Sequence, residues 1–102
     1  MQVSPEVTVK DQVIYVRMGE RLDCSMVNLF VEACRLAKLG ENREIRVDLG
    51  RTRRVFFSGL ALLLMLCQRA GRLEGHIKLV NCSPDIEEQL SACSLSPKFQ
   101  IL

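Results

Sequence analysis

The chain has 102 residues, of which 48% are hydrophobic and 25% charged, and its formal net charge is +2. That length suits one domain with one core, and so weak a charge gives no electrostatic case for binding DNA, RNA or an anionic membrane. The longest apolar run, Leu60 to Cys67, is far too short to cross a bilayer, so no membrane insertion is expected.

Residues 6–10 and 12–18 read as two strands around Lys10-Asp11, the second rich in β-branched and aromatic side chains. Gly19-Glu20 ends that pair. Residues 24–38 read as a helix, with Asp23 suited to cap it and Gly40 suited to stop it. Val27, Phe30, Val31, Cys34 and Ala37 recur at helical spacing and are expected to form its inward stripe. Residues 44–49 alternate strictly, with Ile45, Val47 and Leu49 facing one way and Glu44, Arg46 and Asp48 the other. Residues 76–80 form a further strand with Ile77 and Leu79 inward.

A second helix is expected from Ser58 to Arg72, with Leu60, Leu63, Leu64 and Cys67 inward. Leu62, Met65, Gln68 and Arg69 fall near its outer face. A third helix runs from Pro84 to Cys93, started by Ser83 as cap and by Pro84, Asp85 and Glu87 in its first turn. A short strand at 98–101 closes the chain. A sheet covered on both faces would show near-continuous apolar strands. These strands each keep a polar face, so the helices should lie on one side only. The expected architecture is a two-layer α/β sandwich, a mixed sheet in the order β-β-α-β-α-β-α-β, with parallel strands joined by right-handed crossovers.

Residues 44–67, EIRVDLGRTRRVFFSGLALLLMLC, carry the most specific pattern. Val47-Asp48-Leu49 ends a strand, a short loop follows, and Ser58-Gly59-Leu60 opens a Leu-rich helix. Later come His76-Ile77-Lys78-Leu79-Val80-Asn81 with Ser83-Pro84, then Ser94-Leu95 and Phe99-Gln100-Ile101. Earlier comes Gly19-Glu20-Arg21-Leu22-Asp23 before the first helix. In this order and spacing the chain resembles STAS domains, the family of bacterial anti-sigma-factor antagonists, over nearly all of residues 1–102. The resemblance implies a single STAS-like domain working in the cytoplasm by partner switching in transcriptional signalling.

One departure from the family pattern bears on function. In members switched by phosphorylation, the turn before Gly59 holds an Asp followed by a phosphoacceptor Ser. Those positions are Phe56 and Phe57 here, and phenylalanine has no hydroxyl to accept phosphate. Ser58 matches the turn's second hydroxyl and is expected to cap the helix. A shifted phosphorylation site at Ser58 or Thr52 is the competing reading. Arg51, Arg53 and Arg54 precede a helix N-terminus that is itself positive. They read either as a docking site for acidic groups or as a solvated loop paired with Asp48 and Glu44. Neighbouring residues cannot easily bury on one side, so one of Phe56 and Phe57 is expected in the core and the other on the surface as an anchor.

The expected partner surface therefore comprises Arg51, Arg53, Arg54, Phe56, Phe57, Ser58, Gly59, Leu62, Met65 and Arg69. The resemblance implies a protein partner, an anti-sigma-factor serine kinase or a related signalling protein. The alternative it implies is a small STAS subunit docking on the ATPase of a lipid-transport ABC complex. Enzyme chemistry finds little support. His76 is the single histidine and has no recognisable partner. There is no G-x-S-x-G elbow and no Gly-rich phosphate loop. The five cysteines are odd in number and lack zinc spacing, so reduced thiols with no metal and no cofactor are expected.

Overall fold

The alternation of residues 44–49 is realised in β4 (Glu44–Asp48), the middle strand of a five-stranded sheet ordered β1-β2-β4-β6-β7. The computed structural model describes residues 4–70, 73, 76–92 and 100–102. The other sheet strands are β1 (Glu6–Lys10), β2 (Val13–Arg17), β6 (Ile77–Val80) and β7 (Gln100–Ile101). β1 pairs antiparallel with β2, and every other pairing in this sheet is parallel. The mixed sheet with three helices is thus as the alternation predicted. The turn joining β1 to β2 takes in Asp11 and Gln12, both at positive φ, the conformation that matches the twist of a two-residue hairpin. Gln12 therefore belongs to the turn and not to the strand expected from 12.

Register aligns the core. Ile14, Ile45 and Ile77 stand side by side on β2, β4 and β6, and Val16, Val47, Leu79 and Ile101 form the next row. All of these but Ile101, which is half-buried, are at most 1% exposed. Burying each large side chain contributes roughly 1.5–3 kcal/mol. The opposite face carries Tyr15, Arg46 and Lys78 in one row. There Glu44, 8% exposed, takes a hydrogen bond from Arg46 at 2.8 Å and an ion pair from Lys78 at 3.3 Å.

The helices are α1 (Val27–Lys38), entered through a 3-10 turn at Cys24–Met26, α2 (Phe57–Arg69) and α3 (Pro84–Ala92). Asp23 caps the 3-10 turn by accepting from the Ser25 N–H, and Gly40 adopts the positive φ expected just past α1. α3 starts as predicted, with the Ile86 N–H donating to Ser83 Oγ at 3.2 Å. Its expected end at Cys93, and strand residues 98 and 99, lie outside the described residues. α2 ends at Arg69, and Arg72 is likewise outside them.

Both long stripes are rotated from the sequence reading. α1 buries Phe30, Ala33, Cys34 and Ala37, leaving Val27 and Val31 exposed. Ala33 and Ala37 take the buried positions, and at helical spacing the valines then fall to the flank. α2 buries Gly59, Leu62, Leu63, Leu66 and Cys67, with Leu60 and Leu64 half-buried. Leu62 is thus core and not part of the outer face.

Gly59 sets that rotation. A Cβ there would lie 2.1 Å from the Leu22 carbonyl oxygen and 2.5 Å from its carbon, both backbone atoms that cannot step aside. Gly59→Ala is expected to destabilise the fold by about 2 kcal/mol or more, since overpacking typically costs ~1–3 kcal/mol against yielding neighbours. Urea unfolding of the two proteins measures it.

Glu44 supplies a second expectation. The Arg46 hydrogen bond, aided by Lys78, holds its carboxyl below the usual carboxylate range despite burial. A depressed carboxylate stabilises the fold above its unfolded-state pKa, and that contribution is lost as pH falls through the lower folded-state value. Glu44→Gln should therefore lower the urea midpoint at neutral pH and lose less on acidification than the parent.

Candidate functional site

Thr52 to Phe56 are stitched to the segment after β2. Thr52 Oγ1 donates to the Gly19 carbonyl at 2.9 Å, and the Arg53 and Arg54 N–H groups donate to the Glu20 carbonyl at 2.8 and 3.2 Å. A two-residue parallel ladder follows between β3 (Arg21–Leu22) and β5 (Arg54–Val55). The Phe56 N–H then donates to the Leu22 carbonyl at 3.0 Å. Asp48 braces the loop's other end, accepting from the Gly50 N–H at 2.8 Å and from Asn81 Nδ2 at 3.1 Å. The basic segment is therefore a fixed edge. The sequence reading missed this ladder because two residues carry no periodicity.

The arginines do not pair as the solvated-loop reading required. Asp48 is engaged by Gly50 and Asn81, and Glu44 by Arg46 and Lys78. Arg51, Arg53 and Arg54 are exposed and form no ion pair among the described residues. Arg54 lies 5.6 Å from the centre of the Phe56 ring and Arg21 5.0 Å from it. Such contacts are worth roughly 0.5–1 kcal/mol each at exposed sites. Arg21 also reaches Asp23 at 3.6 Å. Hydrogen bonds from the Ser25 hydroxyl and N–H hold the Asp23 carboxyl below its usual range.

The two phenylalanines separate as expected, with one difference. Phe56 is half-buried beneath arginines and does not join the core, because it occupies the cap position with extended backbone. Phe57, the first residue of α2, is 88% exposed. Ser58 is not a cap, since α2 begins one residue before it and Phe56 makes no side-chain cap. Its hydroxyl instead accepts from the Cys24 N–H at 3.0 Å, tying the starts of the first two helices together. Thr52 is 4% exposed, Gly59 is buried against Leu22, and Met65 is half-buried against the core; Arg69 is exposed. The structure thus gathers Arg51, Arg53, Arg54, Phe56 and Phe57 at one rim and withdraws Gly59 and Leu62 from the surface.

Beside that rim, a shallow cleft of about 940 Å³ opens where β2, β4 and β6 end. Arg21, Arg51 and Arg53 line it, as do Ser25, Glu20 and Asp85. His76 is exposed. Cys34 and Cys67 are buried, and burial pushes the Cys34 and Cys82 thiols up, which lowers their thiolate reactivity. Cys93 lies outside the described residues. Among the described residues no group of three His, Cys, Asp or Glu side chains could hold a metal, and no helix is long and apolar enough to cross a membrane.

The STAS domain model matches residues 4–102. No curated protein matches the chain. The fold is similar to that of the anti-sigma factor antagonist SpoIIAA in its unphosphorylated form, at 19% identity and a TM-score of 0.77, covering 97% of this chain and 88% of that one. The phosphorylated form of SpoIIAA, a Bacillus cell fate determinant, gives 19% identity and 0.71, covering 97% and 91%. A variant of RsbS from Moorella thermoacetica gives 17% and 0.79, covering 98% and 86%.

The Cys24–Ser58 bond is open to test. Ser58→Ala removes the acceptor and should cost about 1 kcal/mol, as for an ordinary hydrogen bond. Ser58→Thr should retain most of it, and chemical denaturation of the three proteins checks the ranking.

Proposed function

Because this chain belongs to the STAS domain family, we propose that it is a regulatory module without enzymatic activity. In this reading it binds a signalling protein in the manner of an anti-sigma-factor antagonist. The partner is an anti-sigma-factor serine kinase or a relative of one, in the cytoplasm. The observation that carries this reading is Phe57, 88% exposed at the first position of α2. It stands where the family resemblance puts the phosphoacceptor.

An exposed aromatic side chain has a large apolar area and few rotamers to lose, which makes it a good interface anchor. Arg51, Arg53 and Arg54, free of ion pairs among the described residues, lie on the segment that leads to it and offer charge to a partner's carboxylates. Phosphorylation at Ser58 or Thr52 would have to compete with bonds already made, since Ser58 Oγ holds the Cys24 N–H and Thr52 Oγ1 holds the Gly19 carbonyl. Binding in this reading is constitutive, or is controlled by the state of the partner.

The test is affinity capture from native lysate with mass spectrometry, comparing the intact chain with a variant carrying Arg51→Glu, Arg53→Glu and Arg54→Glu. A kinase-type partner captured by the intact chain and lost with the variant is the expected result. Incubating that partner with the chain and ATP should leave no stoichiometric phosphate on the chain. An ABC ATPase as the captured partner would replace the signalling reading with the transport one. Equal capture by both proteins would move the surface elsewhere.

A further inference from the structure

The outer sides of α1 and α2 carry apolar groups that the rim does not use. Val27 is 40% and Val31 54% exposed, one turn apart on α1. At 3.6 residues per turn, Cys34, Val27, Lys38 and Val31 lie successively to one side of the buried Phe30, roughly 40–100° round the helix axis. Leu29 and Leu36 lie to the other side. On α2 the same geometry puts Leu62, Arg69, Ser58 and Met65 to one side of the buried Leu63, and Leu60 and Leu64 to the other.

The packing of α1 on α2 and one hydrogen bond show that these sides face each other. Ser58 Oγ holds the Cys24 N–H at the start of the helices. Val27 and Val31 therefore form one wall of a groove between α1 and α2, and Met65 stands on the other. Leu62 and Cys34, 8% and 7% exposed, form the floor. Lys38 and Arg69, both exposed, lie in the last turns of the two helices and mark that end of the groove. Neither has an ion-pair partner among the described residues, whereas Glu32 on α1 is held by Arg35.

An apolar trough closed at one end by unpaired cations selects its ligand. We propose that the α1–α2 groove docks an amphipathic helix of the partner protein, its apolar ridge on Val27, Val31 and Met65 and its carboxylates at Lys38 and Arg69. Helix-in-groove recognition reads such anchors at helical spacing, and charge complementarity fixes the direction of the docked helix. The proposal rests on the protein-binding reading above but uses a surface separate from the Phe57 rim.

The probe is a synthetic amphipathic helix of leucines flanked by glutamates, with a lysine-for-glutamate counterpart as control. Both are titrated into the isotopically labelled chain and followed by amide chemical shifts and fluorescence anisotropy. The glutamate peptide should shift Val27, Val31 and Met65. It should bind at least about tenfold more weakly to Val31→Asp and to the double variant Lys38→Glu, Arg69→Glu, as removal of an anchor or of its charge partners predicts. The lysine peptide should bind the double variant and not the parent, a gain that damaged folding cannot mimic. Absence of glutamate-peptide binding, shifts confined to other surfaces, or equal affinity for parent and double variant would overturn the proposal. These outcomes are independent of the lysate capture. Peptide binding with no kinase-type partner would keep the groove and discard the signalling reading, and the reverse would discard the groove alone.

Discussion

The site depends on the backbone of Leu22. Its side chain is fully buried in the core, its carbonyl accepts from the Phe56 N–H, and the helix carrying Phe57 crosses so close to it that only hydrogen fits on Gly59. Those three facts lock one residue of β3 to the sheet's hydrophobic layer, to the end of the basic segment and to the start of α2. A parallel ladder of two residues would be marginal by itself. Here it is held because each of its ends is anchored in something larger, Thr52 and Glu20 on one side and the packed helix on the other. The position of Phe57 on the surface follows from that lock and not from its own contacts.

The same lock explains which parts of the fold were legible in the sequence. The strands of the five-stranded sheet are legible because residues such as Ile45, Val47 and Leu49 obey a period of two, and a sheet with one covered face leaves that period little freedom. The helices are legible as helices, but their rotation is not. α2 offers apolar side chains at nearly every position from Leu60 to Leu66, so hydrophobicity does not define a stripe. What chooses is a steric fact, the approach of Gly59 to a backbone carbonyl that lies thirty-seven positions earlier in the chain. No local pattern contains such information. α1 differs for a related reason: Ala33 and Ala37 contribute little to a hydrophobic pattern, yet they take the buried positions.

The candidate site was legible in its residue types and not in its geometry. The arginines and the pair of phenylalanines stand out in the sequence, and the division of labour between Phe56 and Phe57 follows from their being neighbours. That the basic segment is fixed is not legible, because apart from the Thr52 and Asp48 side-chain bonds it is held backbone to backbone across the ladder, which side-chain identity does not encode. Ser58 illustrates the same gap. A serine before a Leu-rich helix looks like a cap, but the helix starts at Phe57 and the hydroxyl is used sideways, on Cys24.

Charge is arranged differently on the two faces of the molecule, and that difference bears on where a partner can act. On the open face of the sheet, Glu44 gathers Arg46 and Lys78, and Glu6 gathers Arg17. A partner docking there would have to break pairs that already exist. On the helical side Asp23 is engaged locally by Ser25 and Arg21, and Glu32 by Arg35. The cations at the rim and at the far end of α1 and α2 are left without such pairs among the described residues. An incoming carboxylate there gains an interaction without displacing one, so the net attraction is larger even where the formal charge is similar. The mild net charge of +2 conceals this asymmetry. The proposed specificity for an acidic partner therefore resides in the distribution of the charges, with hydrophobic anchors between them setting the register.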